Sequence, residues 1–242
     1  EKWFKAAKKM IPYSKHYIDK QDIDAVADIL RNKNIAQGEL IGKLEEKISK
    51  YVKSKYAIAV TSCSAALHLS SSIIGMKNKN VVTSPITFAS TASSVLHSGG
   101  KLRFVDISSR NINIDLDYFD KLNFNVNTII PIHFSGAAVE LKNFRRKYPK
   151  IKIIEDSAHA LGAKYKNGEM VGSCNFSDIS TFSLHPAKTI TAGEGGIITT
   201  NNKDYYDELK LLSNNGVQKN KEKFKIKKYE NDMWYYEVQK LG

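Results

Sequence analysis

Seven short runs of β-branched and other apolar residues recur along the 242-residue chain, at 56–61, 81–83, 102–105, 128–132, 151–154, 179–182 and 197–200. Between most of these runs the apolar residues recur with the period of a helix, at 64–74, 87–97 and 137–148. Strand patterns that alternate with helix patterns are typical of a mainly parallel sheet covered by helices. The sequence therefore predicts an α/β domain with seven strands.

Helix patterns also lie outside the strand-bearing region. Two of them, at 20–32 and 40–52, precede the first run, and a third at 203–213 follows the last. We therefore divide the chain into three parts. An N-terminal helical segment (1–54) packs on a large α/β domain (55–216), and a basic segment (217–242) follows.

Composition excludes several classes of protein. The apolar runs are far shorter than the roughly 20 residues that span a bilayer. Residues 1–10 lack the apolar core of a secretion signal, so we expect a cytoplasmic protein with no membrane partner. The two cysteines, Cys63 and Cys174, are too few for a disulfide framework and lack a metal-binding spacing. We therefore expect no structural disulfide and no metal site.

The formal net charge of +12 suits a polyanionic partner, either a nucleic acid or a phosphorylated small molecule. Much of the excess lies in six lysines near the C-terminus, Lys219, Lys221, Lys223, Lys225, Lys227 and Lys228. A solvated, mobile loop and a contact to a diphosphate both fit this basic segment. The chain has no helix-turn-helix, zinc-finger or RNP pattern, so we expect no nucleic-acid partner.

The most specific chemistry lies between residues 151 and 196. The strand pattern 151–154 brings Asp156 to its carboxyl end, the edge where open α/β sheets bind ligands. Downstream come Ser183, Lys188 and the sequence Gly193-Glu194-Gly195-Gly196. Singly, Asp156 fits a helix cap and Lys188 a solvated surface group. Together they fit a pyridoxal phosphate (PLP) site, which needs a lysine amine, a carboxylate for the pyridine nitrogen, and glycines that allow close approach.

A second element fits the phosphate of this cofactor. Ser62, Cys63, Ser64 and Ala65 follow the first strand pattern and open a helix, whose free N–H groups and dipole attract a phosphate. An ordinary serine N-cap fits the same residues, and Cys63 fits a small buried apolar side chain. Phe88 follows the next strand pattern. Two interpretations of it stay open, stacking on the cofactor ring and burial in the core.

These motifs resemble those of the DegT/StrS family of PLP-dependent nucleotide-sugar aminotransferases. The resemblance covers almost the whole chain, in Ile11-Pro12-Tyr13-Ser14, Ala36-Gln37-Gly38, Thr87-Phe88-Ala89-Ser90-Thr91-Ala92, Glu155-Asp156-Ser157-Ala158-His159-Ala160-Leu161-Gly162 and Thr181-Phe182-Ser183-Leu184-His185-Pro186-Ala187-Lys188. It implies a fold-type-I transferase with a mixed, mainly parallel seven-stranded sheet, and it makes 55–216 the PLP-binding domain. We also expect this chain to lack the family's smaller C-terminal domain, toward which segment 217–242 leads.

Carried over residue by residue, the resemblance implies a set of cofactor contacts. Lys188 is implied to bond to the cofactor and to move protons, and Asp156 to pair with the pyridine nitrogen. His159 is implied to contact the phenolic oxygen, and Phe88 to stack on the ring. The remaining implied contacts are to the phosphate, by Ser62, Cys63, Ser64, Ala65 and Ser183, and to the substrate, by Tyr13 and His185.

Within the family, His159 and the sequence from Ser183 to Lys188 are most similar to members that aminate C4 of a UDP-linked 4-keto-6-deoxy-N-acetylhexosamine on the way to pseudaminic acid. Glutamate as amino donor and a homodimer are implied with them. The chain departs from the family at Asn214-Asn215-Gly216, where relatives usually have Arg or Ser and then His. Two alternatives stay open: a noncatalytic PLP-binding relative, and a nucleotide-sugar dehydratase, whose usual histidine is replaced here by Lys188.

Overall fold

A computed structural model describes residues 12–229 and 231–241. Seven strands form one sheet: β1 (Tyr56–Val60), β2 (Asn80–Thr83), β3 (Lys101–Phe104), β4 (Thr128–Ile130), β5 (Lys152–Asp156), β6 (Ile179–Ser183) and β7 (Gly196–Thr200). Each strand lies on one of the predicted runs, which confirms the expected strands. Their order is β1-β7-β6-β5-β4-β2-β3, with β6 to β3 parallel and β7 antiparallel to both neighbours. The sheet is therefore mixed and mainly parallel, as predicted.

Helices cover both faces of the sheet and lie where the helix patterns occur. They are α1 (Lys20–Asn32), α2 (Glu39–Val52), α3 (Cys63–Ile74), α4 (Ala89–His97), α5 (Leu141–Lys147) and α6 (Lys203–Leu212). Side-chain caps fix several of their starts. Asp19 forms a capping box with Asp22 ahead of α1, and Asn202 accepts from two N–H groups of α6.

The predicted helix 137–148 is wrong at its start, since α5 begins only at Leu141. A 3₁₀ turn (Phe134–Gly136) comes first, and the backbone that follows it is extended. A tertiary hydrogen bond helps to hold this backbone, because the Val139 N–H donates to His133 Nδ1 at 2.9 Å. This hydrogen bond favours the extended backbone, although the apolar residues at the start of the predicted helix recur with a helical period.

Alternating side chains of the central strands fill two cores, one on each face of the sheet. On β5, Ile153 joins the core that contains α2 and α5, and Ile154 joins the core that contains α3 and α6. The alternation continues, so Glu155 points to the first face and Asp156 to the second. On the second face the carboxyl ends of β5 and β6 meet the start of α3, at the edge where such sheets bind ligands.

The predicted N-terminal segment contains two helices that pack differently. Helix α2 buries Ile48 and Val52, whereas no residue of α1 is buried. No helix in the described ranges, α1 included, is long and apolar enough to cross a membrane. Residues 1–11, which include Ile11 of the family motif, lie outside the described residues, so the packing of the whole segment stays a prediction.

The basic segment folds around a buried phenylalanine and a buried glutamate. Its two short strands, β8 (Val217–Gln218) and β9 (Glu237–Val238), pair antiparallel. Phe224 packs edge-on against Tyr235. Burial raises the pKa of Glu237, but hydrogen bonds led by the N–H of Lys225, with that of Ile226 among them, outweigh burial and lower it to about 2. The six lysines are exposed, so the basic segment has a positively charged outer surface.

Candidate active site

A cavity of about 450 Å³ opens at the carboxyl edge of the sheet, between the loops that follow β5 and β6 and the start of α3. The predicted site residues that line it are Tyr13, Ser62, Cys63, Ser64, Phe88, Asp156, His159, Ser183, His185 and Lys188. Ala65 instead lines a neighbouring groove with His68 and His97, and its N–H donates to Ser62 Oγ. The structure thus brings together every predicted site residue except Ala65.

Asp156 is the last residue of β5 and is only 4% exposed. Thr91 Oγ1 donates to its Oδ2 at 2.6 Å, and the Ala158 N–H donates to its Oδ1 at 3.2 Å. The Thr91 hydroxyl in turn accepts from Thr87 Oγ1 at 2.8 Å. Both carboxylate oxygens therefore have a protein donor, and each retains a lone pair for a further donor.

Lys188 lies in the loop that connects β6 to the antiparallel strand β7. Leu184 closes this loop, because its N–H donates to the Gly195 carbonyl and its carbonyl accepts the Ala192 N–H. The Lys188 N–H donates to the His185 carbonyl and forms a turn whose side chains line the cavity. The return of β7 thus brings Lys188 to the same edge as the end of β5.

His159 is a neutral hydrogen-bonding group in this cavity. Its Nδ1 accepts the Ser135 N–H at 3.3 Å, so Nε2 carries the proton of the neutral ring. Burial first, and then the charge of Lys188, lower the pKa of His159, while Asp156 partly opposes them. The ring is therefore uncharged at neutral pH and has a donor at Nε2.

The turn at the start of α3 rests directly on the sheet. Ser62 caps the helix, and a Cβ on Gly196 would lie 2.3 Å from the Ser62 carbonyl oxygen, so the approach requires glycine. Among the described residues, no protein partner is found for the N–H groups of Cys63 and Ser64, as is usual in a first helical turn. The turn therefore presents donors and a positive helix end to an anion.

The Cys63 side chain is inert in this position. Both cysteines of the chain are free and buried. Burial, with the charge of Asp156 added, raises the pKa of the Cys63 thiol. A thiol of this kind stays protonated and is a poor nucleophile.

The open side of the cavity is lined by exposed rings. Phe88 is 75% exposed, so its interpretation as a core residue is wrong. Tyr13 is 93% exposed, and His185 is exposed with its Nδ1 accepting the Ala187 N–H at 3.1 Å. Large side chains left exposed beside a cavity are typical of contacts to a ligand.

The residues at or next to the cavity that sequence reasoning missed include Thr87, Thr91, Phe134 and Glu194. Hydroxyls after a strand fit a helix start equally well, so no periodic signal identified the two threonines. Phe134 follows the end of β4, and the argument that identified Asp156 at a strand end could have found it. Glu194 lies between glycines that were interpreted for backbone geometry alone.

On the opposite face, Glu155 lies in a closed polar cluster and is fully buried. His133 Nε2 donates to its Oε2 at 2.7 Å, and the hydroxyls of Tyr165 and Ser177 also donate to the carboxylate. Because His133 Nδ1 already accepts the Val139 N–H, the ring proton lies on Nε2. None of these side chains lines the cavity.

Comparison with known proteins identifies the family and the fold of the chain. The DegT/DnrJ/EryC1/StrS aminotransferase family model matches residues 16–237. A UDP-4-amino-4,6-dideoxy-N-acetyl-beta-L-altrosamine transaminase of Campylobacter jejuni is 39% identical over 87% of this chain and 56% of its own length. The structure of Helicobacter pylori PseC, an aminotransferase involved in the biosynthesis of pseudoaminic acid, has a TM-score of 0.84 at 30% identity, covering 97% of this chain and 61% of that one.

A third relative adds the form in which its structure was solved. The putative sugar aminotransferase of Streptococcus pneumoniae, in its PLP form, has a TM-score of 0.81 at 25% identity, covering 96% of this chain and 61% of that one. The fold is that of the fold-type-I sugar aminotransferases. The chain belongs to the DegT/DnrJ/EryC1/StrS aminotransferase family, as its motifs indicated. It spans just over half (56%) of the length of the C. jejuni relative.

Proposed function

We propose that this chain is the cofactor-binding part of a PLP-dependent aminotransferase that acts on C4 of a UDP-linked 4-keto-6-deoxy-N-acetylhexosamine, with glutamate as amino donor. One observation carries the proposal: Lys188 and Asp156, distant in sequence, line one cavity together with the start of α3. The identity to the C. jejuni transaminase supports the sugar, and the resemblance in motifs supports the donor.

The residues present fit PLP. The turn before α3 has free N–H groups for a phosphate, and the exposed ring of Phe88 suits stacking on a flat heteroaromatic ring. Asp156 is oriented by two protein donors and retains lone pairs for a protonated pyridine nitrogen. Lys188 offers an amine at the same cavity.

Each of these side chains then has a defined task. When bound, PLP supplies an aldehyde and an electron-withdrawing ring for the exchange of an amino group. Lys188 would hold the cofactor through its amine, and its Nζ would move a proton during the exchange. Asp156 would keep the pyridine nitrogen protonated, and neutral His159 would offer its Nε2 proton to the phenolic oxygen. Tyr13 and His185 line the open side of the cavity and would contact a sugar nucleotide that entered there.

The lysine distinguishes this proposal from the dehydratase alternative. Dehydratases that resemble this family have a histidine in place of the lysine, which leaves them without an amine that bonds to the cofactor. Lys188 is present and lines the cavity. The noncatalytic alternative makes a different prediction, since such a relative would bind PLP without transferring an amino group.

The first test is trapping of the cofactor on Lys188. The unmodified chain, a Lys188→Ala variant and a control, Lys142→Ala at an exposed position of α5, are mixed with PLP and reduced with borohydride. Their peptides are then analysed by mass spectrometry. We expect one phosphopyridoxyl group on the Lys188 peptide of the chain and of the control, and none in Lys188→Ala. Labelling of surface lysines alone would contradict the proposal. Turnover of the 4-keto sugar with glutamate then separates the transaminase from the noncatalytic relative.

A further inference from the structure

A buried hydroxyl group of helix α4 forms a hydrogen bond to Asp156, the residue that we propose to pair with the pyridine nitrogen. Thr91 is fully buried, and its Oγ1 lies 2.6 Å from Asp156 Oδ2 across 65 residues of sequence. Thr87 Oγ1, one turn earlier, lies 2.8 Å from the same Thr91 oxygen. The three side chains form a chain of hydrogen bonds that ends at the cavity.

The carboxylate of Asp156 sets the direction of these hydrogen bonds. A carboxylate accepts hydrogen bonds and donates none, so the Thr91 hydroxyl donates to Asp156 and its oxygen is left to accept from Thr87. On the other carboxylate oxygen, the Ala158 N–H donates at 3.2 Å. One donor on each oxygen fixes the rotation of the carboxylate about its Cβ–Cγ bond.

A role in helix capping does not explain the hydroxyl. Thr91 lies in the first turn of α4, whose N-cap, Phe88, makes no side-chain hydrogen bond to the helix. The Thr91 hydroxyl contacts no N–H group of that turn and points to β5 instead. A buried hydroxyl that serves a carboxylate on another element is a positioning contact.

We propose that Thr91 is a positioning residue, which holds the Asp156 carboxylate toward the pyridine nitrogen of the cofactor, with Thr87 orienting the Thr91 proton. The inference rests on the proposed PLP function. Without the hydroxyl, the carboxylate rotates and its hydrogen bond to the protonated nitrogen weakens. The effect is therefore confined to ligands that have this nitrogen.

The test compares a ligand that has the pyridine nitrogen with one that lacks it. Dissociation constants are measured for PLP and for its 1-deaza analogue, in which a C–H group replaces the pyridine nitrogen. Three proteins are compared: the unmodified chain, Thr91→Val, which keeps the shape of the side chain, and Thr91→Ser, which keeps its hydroxyl group. Ser94→Ala is the matched control, because Ser94 is buried on the same helix and donates to the Thr91 carbonyl rather than to Asp156.

We expect Thr91→Val to weaken PLP binding about tenfold, the size of one lost charge-assisted hydrogen bond, and to leave binding of the deaza analogue unchanged. Thr91→Ser and Ser94→Ala should bind both ligands as the chain does. Equal losses for both ligands would mean that Thr91 only supports the fold, and no loss for either would also overturn the inference. Failure of the unmodified chain to bind PLP would instead remove the proposed function on which the inference rests.

Discussion

Two consecutive residues of β5, Glu155 and Asp156, are both buried carboxylates with opposite surroundings. Glu155 accepts from three side chains and is enclosed by protein. Asp156 accepts from Thr91 and from one backbone N–H, and its free side faces the cavity. A carboxylate whose donors all come from the protein holds the fold together. One with capacity left toward a cavity can hold a ligand.

The strand geometry explains how one dipeptide serves both purposes. Successive side chains of a strand point to opposite faces, so neighbouring residues lie in separate environments. The donors to Glu155 come from His133 after β4, Tyr165 after β5 and Ser177 before β6. The Glu155 cluster therefore ties the segment that follows β4 to two points of the connection between β5 and β6.

The largest effect is expected from Glu155→Gln. The amide has one acceptor oxygen instead of two and adds donors that face the existing donors of the cluster. We expect the free energy of unfolding to fall by about 3 kcal/mol, which urea titration measures. Exposed Glu46→Gln on α2 is the control and should leave the free energy of unfolding unchanged. A stability equal to that of the unmodified chain would contradict the structural role of Glu155.

The second-largest effect is expected from Asp156→Asn, and it concerns PLP binding rather than stability. The amide keeps the shape but loses the charge that we propose to pair with the pyridine nitrogen, so PLP binding should weaken by about 30-fold or more. The free energy of unfolding should change by only about 1 kcal/mol, because the cavity side of the residue has no protein partner to lose. Weaker PLP binding by Glu155→Gln than by Asp156→Asn, each folded, would break the comparison.

The sequence was sufficient for the strands and for finding Asp156 and Lys188, the two residues on which the proposed function rests. Buried strands leave continuous apolar runs, and Asp156 and Lys188 stand in specific motifs at strand ends. The donors to the two carboxylates were not predictable in the same way. Thr91 is 65 residues from Asp156, and Ser177 is 22 residues from Glu155. Such contacts follow from the packing of loops and leave no periodic pattern in the chain.

The same limit explains the wrong start of the helix predicted at 137–148. Its first residues keep an apolar period, but the Val139 N–H is taken by His133 of the Glu155 cluster. In a helix that began at residue 137, that N–H would lie in the first turn and have no acceptor within the helix, whereas His133 accepts it here. A tertiary hydrogen bond therefore favours an extended backbone where the sequence pattern predicted a helix.

The smallest effect concerns the two histidines that accompany the carboxylates. His133 and His159 each accept a backbone N–H at Nδ1, but His133 lies in the closed cluster and His159 beside Lys188. NMR titration of His159 should give a pKa below the usual 6.5. In Lys188→Met it should rise, because a repelling charge is lost, yet stay lowered, because burial is the larger cause.

The sign of the linked stability follows from this shift. A histidine whose pKa is lowered on folding resists protonation in the folded state. Its destabilising effect is absent well above pH 6.5, grows as the pH falls from 6.5 to the folded pKa, and is constant below that. His159→Asn should therefore gain stability relative to the unmodified chain between neutral and acidic pH, by urea titration at each pH. A relative loss on acidification would mean that Asp156, rather than burial and Lys188, dominates the field at His159.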